Sequence, residues 1–147
     1  MKKTRNLWKN LLLKIANKHS SNKIIGSEGE LTDAKYNEYT WKISDNVEMT
    51  ATYYTSSKTA TIKIDIDKKL LKDSKADLSC ASDLKSQVNS KDGVKYDEFV
   101  SKIGTKGYLI EKSSSSVEYI WVNSDAGYIK GTFSNSSKKC TFFSAWT

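Results

Sequence analysis

The sequence predicts an α+β fold made of two tandem repeats at one constant offset, which carries Tyr39 onto Tyr119. In each, one helix or more precedes a four-stranded antiparallel meander, and the two sheets join into one curved sheet with helices on one face. Three observations carry this expectation: an internal repeat, apolar residues at helical spacing ahead of each copy, and four short aromatic and β-branched runs within it. The expected organisation is a first repeat over 1–66, a helical connector over 67–93 and a second repeat over 94–147, all in one compact domain.

The repeat is read by subtraction. EYTWKISDNVEMTATYYTSSKTATIKI upstream aligns with EYIWVNSDAGYIKGTFSNSSKKCTFFSAW downstream. Without a gap, Glu38 meets Glu118, Trp41 meets Trp121, and Ser44-Asp45 meets Ser124-Asp125. Thr52 and Tyr53 meet Thr132 and Phe133, and Ser56-Ser57-Lys58 meets Ser136-Ser137-Lys138. Gly26, Gly29 and Leu31 match Gly104, Gly107 and Leu109 after a two-residue shift. Self-similarity of this extent indicates duplication of one structural unit.

The elements follow in order. Leu7 or Trp8, Leu11, Leu12 and Ile15 form a helical stripe, expected to face the core because a sheet follows that needs cover, with a membrane-surface helix as the competing reading. Strands are expected near 30–32, 37–43, 47–54 and 59–66, with turns at Asp45-Asn46 and Ser56-Ser57. LLKDS and DLKSQV give the connector a helical reading. Tyr96, Phe99, Val100 and Ile103 then recur at i, i+3, i+4 and i+7, with Gly104 as the stop. Strands are expected again at 108–111, 117–123, 128–134 and 139–146, separated by Ser, Asn, Asp and Gly turn chemistry.

Composition narrows the function classes. With 147 residues, 37% of them hydrophobic, the chain can bury a real core. The formal charge of +7 points to an acidic partner, nucleic acid or anionic lipid, or only to a lysine-rich solubilising surface. Arg5 is the only arginine, which disfavours sequence-specific DNA readout, where guanidinium forks do most of the work. The basic start followed by Leu11-Leu12-Leu13 mimics a secretory signal, but Lys9, Asn10 and Lys14 interrupt the apolar run. The chain as given is therefore expected to be cytoplasmic, with a secreted mature form left open, and no membrane span is expected. Cys80 and Cys140 could form one disulfide but supply no ordinary zinc site; reduced structural cysteines are the simpler reading.

The segments GVKYDEFVSKIGTKGYLIEK and EYIWVNSDAGYIKGTFSNSSKK together resemble the β-lactamase inhibitory protein (BLIP) family and the related small bacterial lipoproteins of the SmpA/OmlA type. The resemblance covers most of the chain and implies tandem helix-plus-meander units. It also implies a curved sheet whose rim hairpins enter a partner's cleft. Three departures stand out: the first copy is short before Ile25, Lys95 stands where the family has a small cap residue, and no intra-repeat disulfide is available. Lactamase inhibition itself is not implied.

The candidate contact residues are Asp45 and Asn46 in the first copy and Asp125 and Tyr128 in the second, at the matching hairpins. Tyr54, Trp41 and Trp121 join them from the aromatic rows. Turn formation is the competing explanation for the hairpin residues. Residues two apart on a strand share a face, so one aromatic row is core and the other is available for contact. His19 is the only histidine, in a polar stretch, and no catalytic triad, phosphate loop or metal set can be assembled. The expectation is therefore a non-enzyme without cofactor or metal: a protein-binding module of inhibitor or immunity type, with an acidic bacterial or phage-related partner. The alternative is a nucleic-acid-binding module in which sheet lysines meet phosphates and aromatics stack on bases.

Overall fold

The structure, a computed structural model, describes residues 27–147. The N-terminal stripe of Leu7 to Ile15, the Ile24-Ile25-Gly26 stop and His19 lie outside the described residues. The described chain is mostly β, with eight antiparallel strands and two helices of eight residues each. This corrects the α+β expectation of a helix-plus-meander in every repeat. Both helices belong to the second half, and the described residues of the first half hold none.

The correction has a local physical cause in the connector. Asp67, Asp73 and Asp77 each accept a backbone N–H two residues on, from Lys69 at 2.9 Å, Lys75 at 3.0 Å and Ser79 at 3.0 Å. Such turns compete with the helical ladder for the same backbone donors. The LLKDS stretch therefore yields a 3-10 turn at Lys68–Leu71, and only DLKSQV continues as a helix, α1 at Ala81–Val88.

The described residues divide into two units. The first holds the chain through Ile66 with Lys112–Ser114, and the second holds Asp67–Glu111 with Ser115–Thr147. Strand order follows chain order in both. The first unit contains β1 (Glu30–Asp33), β2 (Glu38–Ser44), β3 (Val47–Tyr54) and β4 (Thr59–Ile66). Alternation is clean along β3, where Val47, Met49, Ala51 and Tyr53 are buried. Trp41 of β2 and Ile62 and Ile64 of β4 fall on that same face. The opposite face carries Thr40, Thr50, Thr52 and Thr61 among charged residues, with the Thr32, Thr40 and Thr50 hydroxyls in a hydrogen-bonded row of 3.1 and 3.4 Å.

In the second unit, α2 (Tyr96–Ile103) precedes β5 (Tyr108–Lys112, all but its last residue in this unit), β6 (Ser116–Val122), β7 (Tyr128–Ser134) and β8 (Cys140–Trp146). Lys95 cannot cap the helix with an oxygen, but its own N–H donates to the Glu98 carboxylate at 3.1 Å, which is half of a capping box. The stripe foreseen on α2 buries Phe99 and Ile103 completely, with Tyr96 and Val100 at its margin. Phe99 sits 5.4 Å from the Trp121 ring and edge-on to Phe133 at 4.9 Å. Such aromatic contacts add to the area they bury. Ala76, Leu78 and Leu84 complete this core, so residues between the repeats are part of the second unit's interior.

The duplication is visible in packing as well as spelling. Met49, Ala51 and Tyr53 line the buried row of β3, and Ile129, Gly131 and Phe133 occupy the same places on β7. Gly29 lies against the Trp41 ring and Gly107 against the Trp121 ring, too close in each case for a methyl group. Lys58 and Lys138, which occupy equivalent positions in the two copies, both take left-handed backbone at φ 52° and 63° in their hairpins.

Candidate functional site

The foreseen contact residues separate into two kinds. Trp41 and Trp121 are each 1% exposed and serve the cores. The Trp121 indole N–H donates to the Thr105 carbonyl at 2.8 Å, which removes its last polar handle from any partner. The hairpin residues and Tyr54 are on the surface, but they do not form one patch. Asp45 and Asn46 are exposed at the β2–β3 turn, where Asp45 has only a 3.8 Å ion pair with the exposed Lys42. Tyr54, 47% exposed, stands at the far end of β3. At about 3.4 Å per strand residue it is roughly 27 Å from Asn46.

The second unit does bring several together. Asn123 Oδ1 accepts the backbone N–H of Asp125 at 3.1 Å and of Gly127 at 2.9 Å, and Ala126 takes φ 64°. Asn123 therefore supplies the side-chain bonds of this turn, and the exposed Asp125 carboxylate is left to solvent. Tyr128 follows directly, with its ring 4.2 Å from Lys68 Nζ and its hydroxyl 3.5 Å from Ser144. Its cross-strand partner is Trp146, 63% exposed. Asp125, Tyr128, Lys68 and Trp146 thus mark one end of the sheet face turned away from the helices.

Further along that face stand Lys130, Thr132 and Phe142. Lys130 Nζ and Thr132 Oγ1 both contact the Glu118 carboxylate, at 3.5 and 3.0 Å. Phe142, opposite Thr132, is 59% exposed. Phe142, Lys68 and Asn123 are functional candidates that strand alternation did not find. For Phe142 the reason is a register shift between Thr132 and Phe133, which changes the side on which β8 residues emerge after Cys140. Phe143 consequently faces the helices, 6.1 Å from Phe99, and Phe142 faces solvent.

The charges of the described residues sum to zero. Seven of the chain's 24 cationic residues and none of its 17 acids fall within residues 1–26, so residues 27–147 have no net charge. The basicity of the chain is therefore a property of the segment 1–26 and not of the sheet lysines. Burial pushes the Cys140 thiol up to about 11 and raises that of Cys80. Both cysteines are free thiols. Among the described residues no group of three or more His, Cys, Asp or Glu side chains could hold a metal ion, and no helix is long and apolar enough to cross a membrane.

No protein-family model, curated protein or solved structure matches the chain.

Proposed function

We propose that the chain is a non-catalytic protein-binding module, of inhibitor or immunity type, that engages a bacterial or phage-related effector or enzyme. The contact surface is the solvent face of the second unit: Trp146, Phe142 and Tyr128 with the Asp125 hairpin at its rim. The observation that carries this reading is the pair of large aromatics, Phe142 and Trp146, held more than half exposed on strand positions. Tyr and Trp on a fixed backbone are the usual anchors of protein interfaces, because little side-chain entropy is lost when they are covered. The motif resemblance to an inhibitor family points the same way.

The absence of net charge in residues 27–147 speaks against a nucleic-acid reading that rests on overall basicity, since phosphate binding draws on an excess of cations. Any electrostatic acceleration of encounter falls to the segment 1–26. The test is affinity capture from nuclease-treated lysate, comparing the native chain with Trp146→Ala and Phe142→Ala at two salt concentrations. A protein kept through the high-salt wash by the native chain and lost by both variants supports the reading. Capture unaffected by the substitutions, or capture only of nucleic acid from untreated lysate, overturns it.

A further inference from the structure

We propose that the outer edge of β8 is a self-association site, at which two copies of this chain pair antiparallel about a two-fold axis through Ser144. The site shares Phe142 and Trp146 with the proposed partner face, but the proposal rests on the open edge of the strand and does not depend on that reading. It starts from how the two repeats treat equivalent positions. In the first unit Thr52, Thr50 and Glu48 stand opposite Thr61, Lys63 and Asp65 on β4. In the second, their equivalents Thr132, Lys130 and Tyr128 stand opposite Phe142, Ser144 and Trp146 on β8. A lysine and an aspartate have given way to serine and tryptophan, on a strand that forms the end of its sheet.

Edge strands are normally guarded by charge, proline or shortness, because their unpaired N–H and C=O groups invite another strand. The outer strand of the first unit, β1, obeys this with four residues, including Glu30 and Asp33. The β8 strand does not: CTFFSAW contains neither charge nor proline. Its start is occupied, since the Cys140 N–H donates to the Val94 carbonyl at 2.7 Å and Lys139 bridges to Lys95. From Thr141 onward, β7 is the only described backbone partner. The open part of β8 begins at Thr141, and Ser144 stands midway between Phe142 and Trp146.

That midpoint is the centre of a side-chain pattern. Antiparallel pairing about Ser144 sets Phe142 opposite the second copy's Trp146, twice, on the solvent face. On the helix face it sets Phe143 opposite the second copy's Ala145, twice, a large residue against a small one. Directly opposed aromatic pairs are among the favourable cross-strand contacts, and no like charges within the strand are brought together. Beside the strand, α1 and β8 enclose a groove of about 380 Å³ lined by Ala81, Ser82, Lys85, Phe143, Ser144 and Ala145. It gives the incoming helix-face side chains somewhere to lie.

The experiment is sedimentation velocity on the purified chain across a concentration series. The expected result is a reversible dimer of the 16.6 kDa chain that persists at high salt, because the contact is apolar and backbone in kind. Ser144→Lys, which installs the residue the first repeat already holds at this place, should leave the far-UV spectrum unchanged and abolish the dimer. Ser144→Glu should do the same, and mixing the two variants should restore association, because the axis sets residue 144 against itself. A wild-type chain that is monomeric throughout overturns the proposal. So does a Ser144→Lys chain that dimerises like wild type, or a mixture that stays monomeric. Should neither variant fold, amide exchange on the wild type decides: protection of residues 141–146 that rises with concentration supports the site, and protection independent of concentration refutes it.

Discussion

Replacing Gly107 by alanine tests the glycine-on-tryptophan packing that recurs in both units. A Cβ at Gly107 would lie 2.7 Å from Trp121 Cε2 and 2.9 Å from the Ile120 carbonyl, and the residue's φ is +67°. Left-handed backbone costs a non-glycine residue about 1–2 kcal/mol, and overpacking a filled core typically costs about 1–3 kcal/mol. The narrower unfolded ensemble of alanine offsets about 0.4–1 kcal/mol. The expected loss is therefore about 2–4 kcal/mol, read as a fall in the urea midpoint at unchanged slope by far-UV circular dichroism. A double-mutant cycle isolates the steric part. Trp121→Phe removes the indole edge that the new methyl would strike, together with the 2.8 Å bond to the Thr105 carbonyl. Combined with Gly107→Ala it should cost less than the two losses added, by about 1 kcal/mol or more. Additivity within about 0.5 kcal/mol would refute the contact reading, and a single-mutant loss below about 1 kcal/mol would refute the strain as well.

Four further outcomes follow from the same geometry. Phe99→Ala should destabilise by about 3–5 kcal/mol, since the ring is wholly buried among Trp121, Phe133 and Phe143, and thermal or chemical denaturation checks it. Lys138→Gly should stabilise by up to about 1 kcal/mol by relieving its φ of 63°, and Lys58→Gly likewise; destabilisation of both would contradict the hairpin geometry. The Cys140 thiol, raised by burial from 9.0 to about 11, holds its proton in the folded chain after the unfolded chain has lost its own, so this group lowers stability as pH climbs from 9 toward 11. Denaturation midpoints that fall over that window, with a thiol reagent modifying half-buried Cys80 before Cys140 at mild pH, are the expected observations. Asp125→Ala should leave the fold intact, because Asn123 holds the turn, and should weaken partner binding; unchanged affinity would remove the hairpin from the contact surface.

The strands were legible because their signal is local. Alternation at period two, broken by Asp-Asn, Ser-Ser and Asn-Ser turns, places β3, β4 and β7 at the boundaries the structure shows. The helical share was overestimated because apolar spacing says nothing about competing side-chain bonds. In the connector three aspartates each capture a backbone donor and cut a helical pattern into turns. For the site, alternation correctly groups Tyr39 with Trp41 and Tyr119 with Trp121, but which side of a sheet is covered is decided by distant residues. Phe99 on α2 makes the Trp121 row core, and no property of the strand itself carries that information. Phe142 was hidden for a different reason, since one extra residue in β8 moves every later side chain to the other face.

Net charge misled in an instructive way. A sum of +7 over the whole chain left a basic sheet as one reading, yet residues 27–147 balance and the excess lies entirely in positions 1–26. On the proposed reading, charge separated along the chain in this manner would divide labour. A cation-rich segment acts at long range and loses its effect within a Debye length as salt rises, about 8 Å at physiological ionic strength. The exposed aromatics of β8 act only on contact and are insensitive to salt. Binding that uses both should show an association rate that falls with ionic strength and a dissociation rate that does not. Removing Trp146 should raise the dissociation rate, and neutralising the N-terminal lysines should slow association. Surface plasmon resonance with a captured partner separates the two effects. A dissociation rate that rose steeply with salt would place the contact on charges and overturn the aromatic assignment.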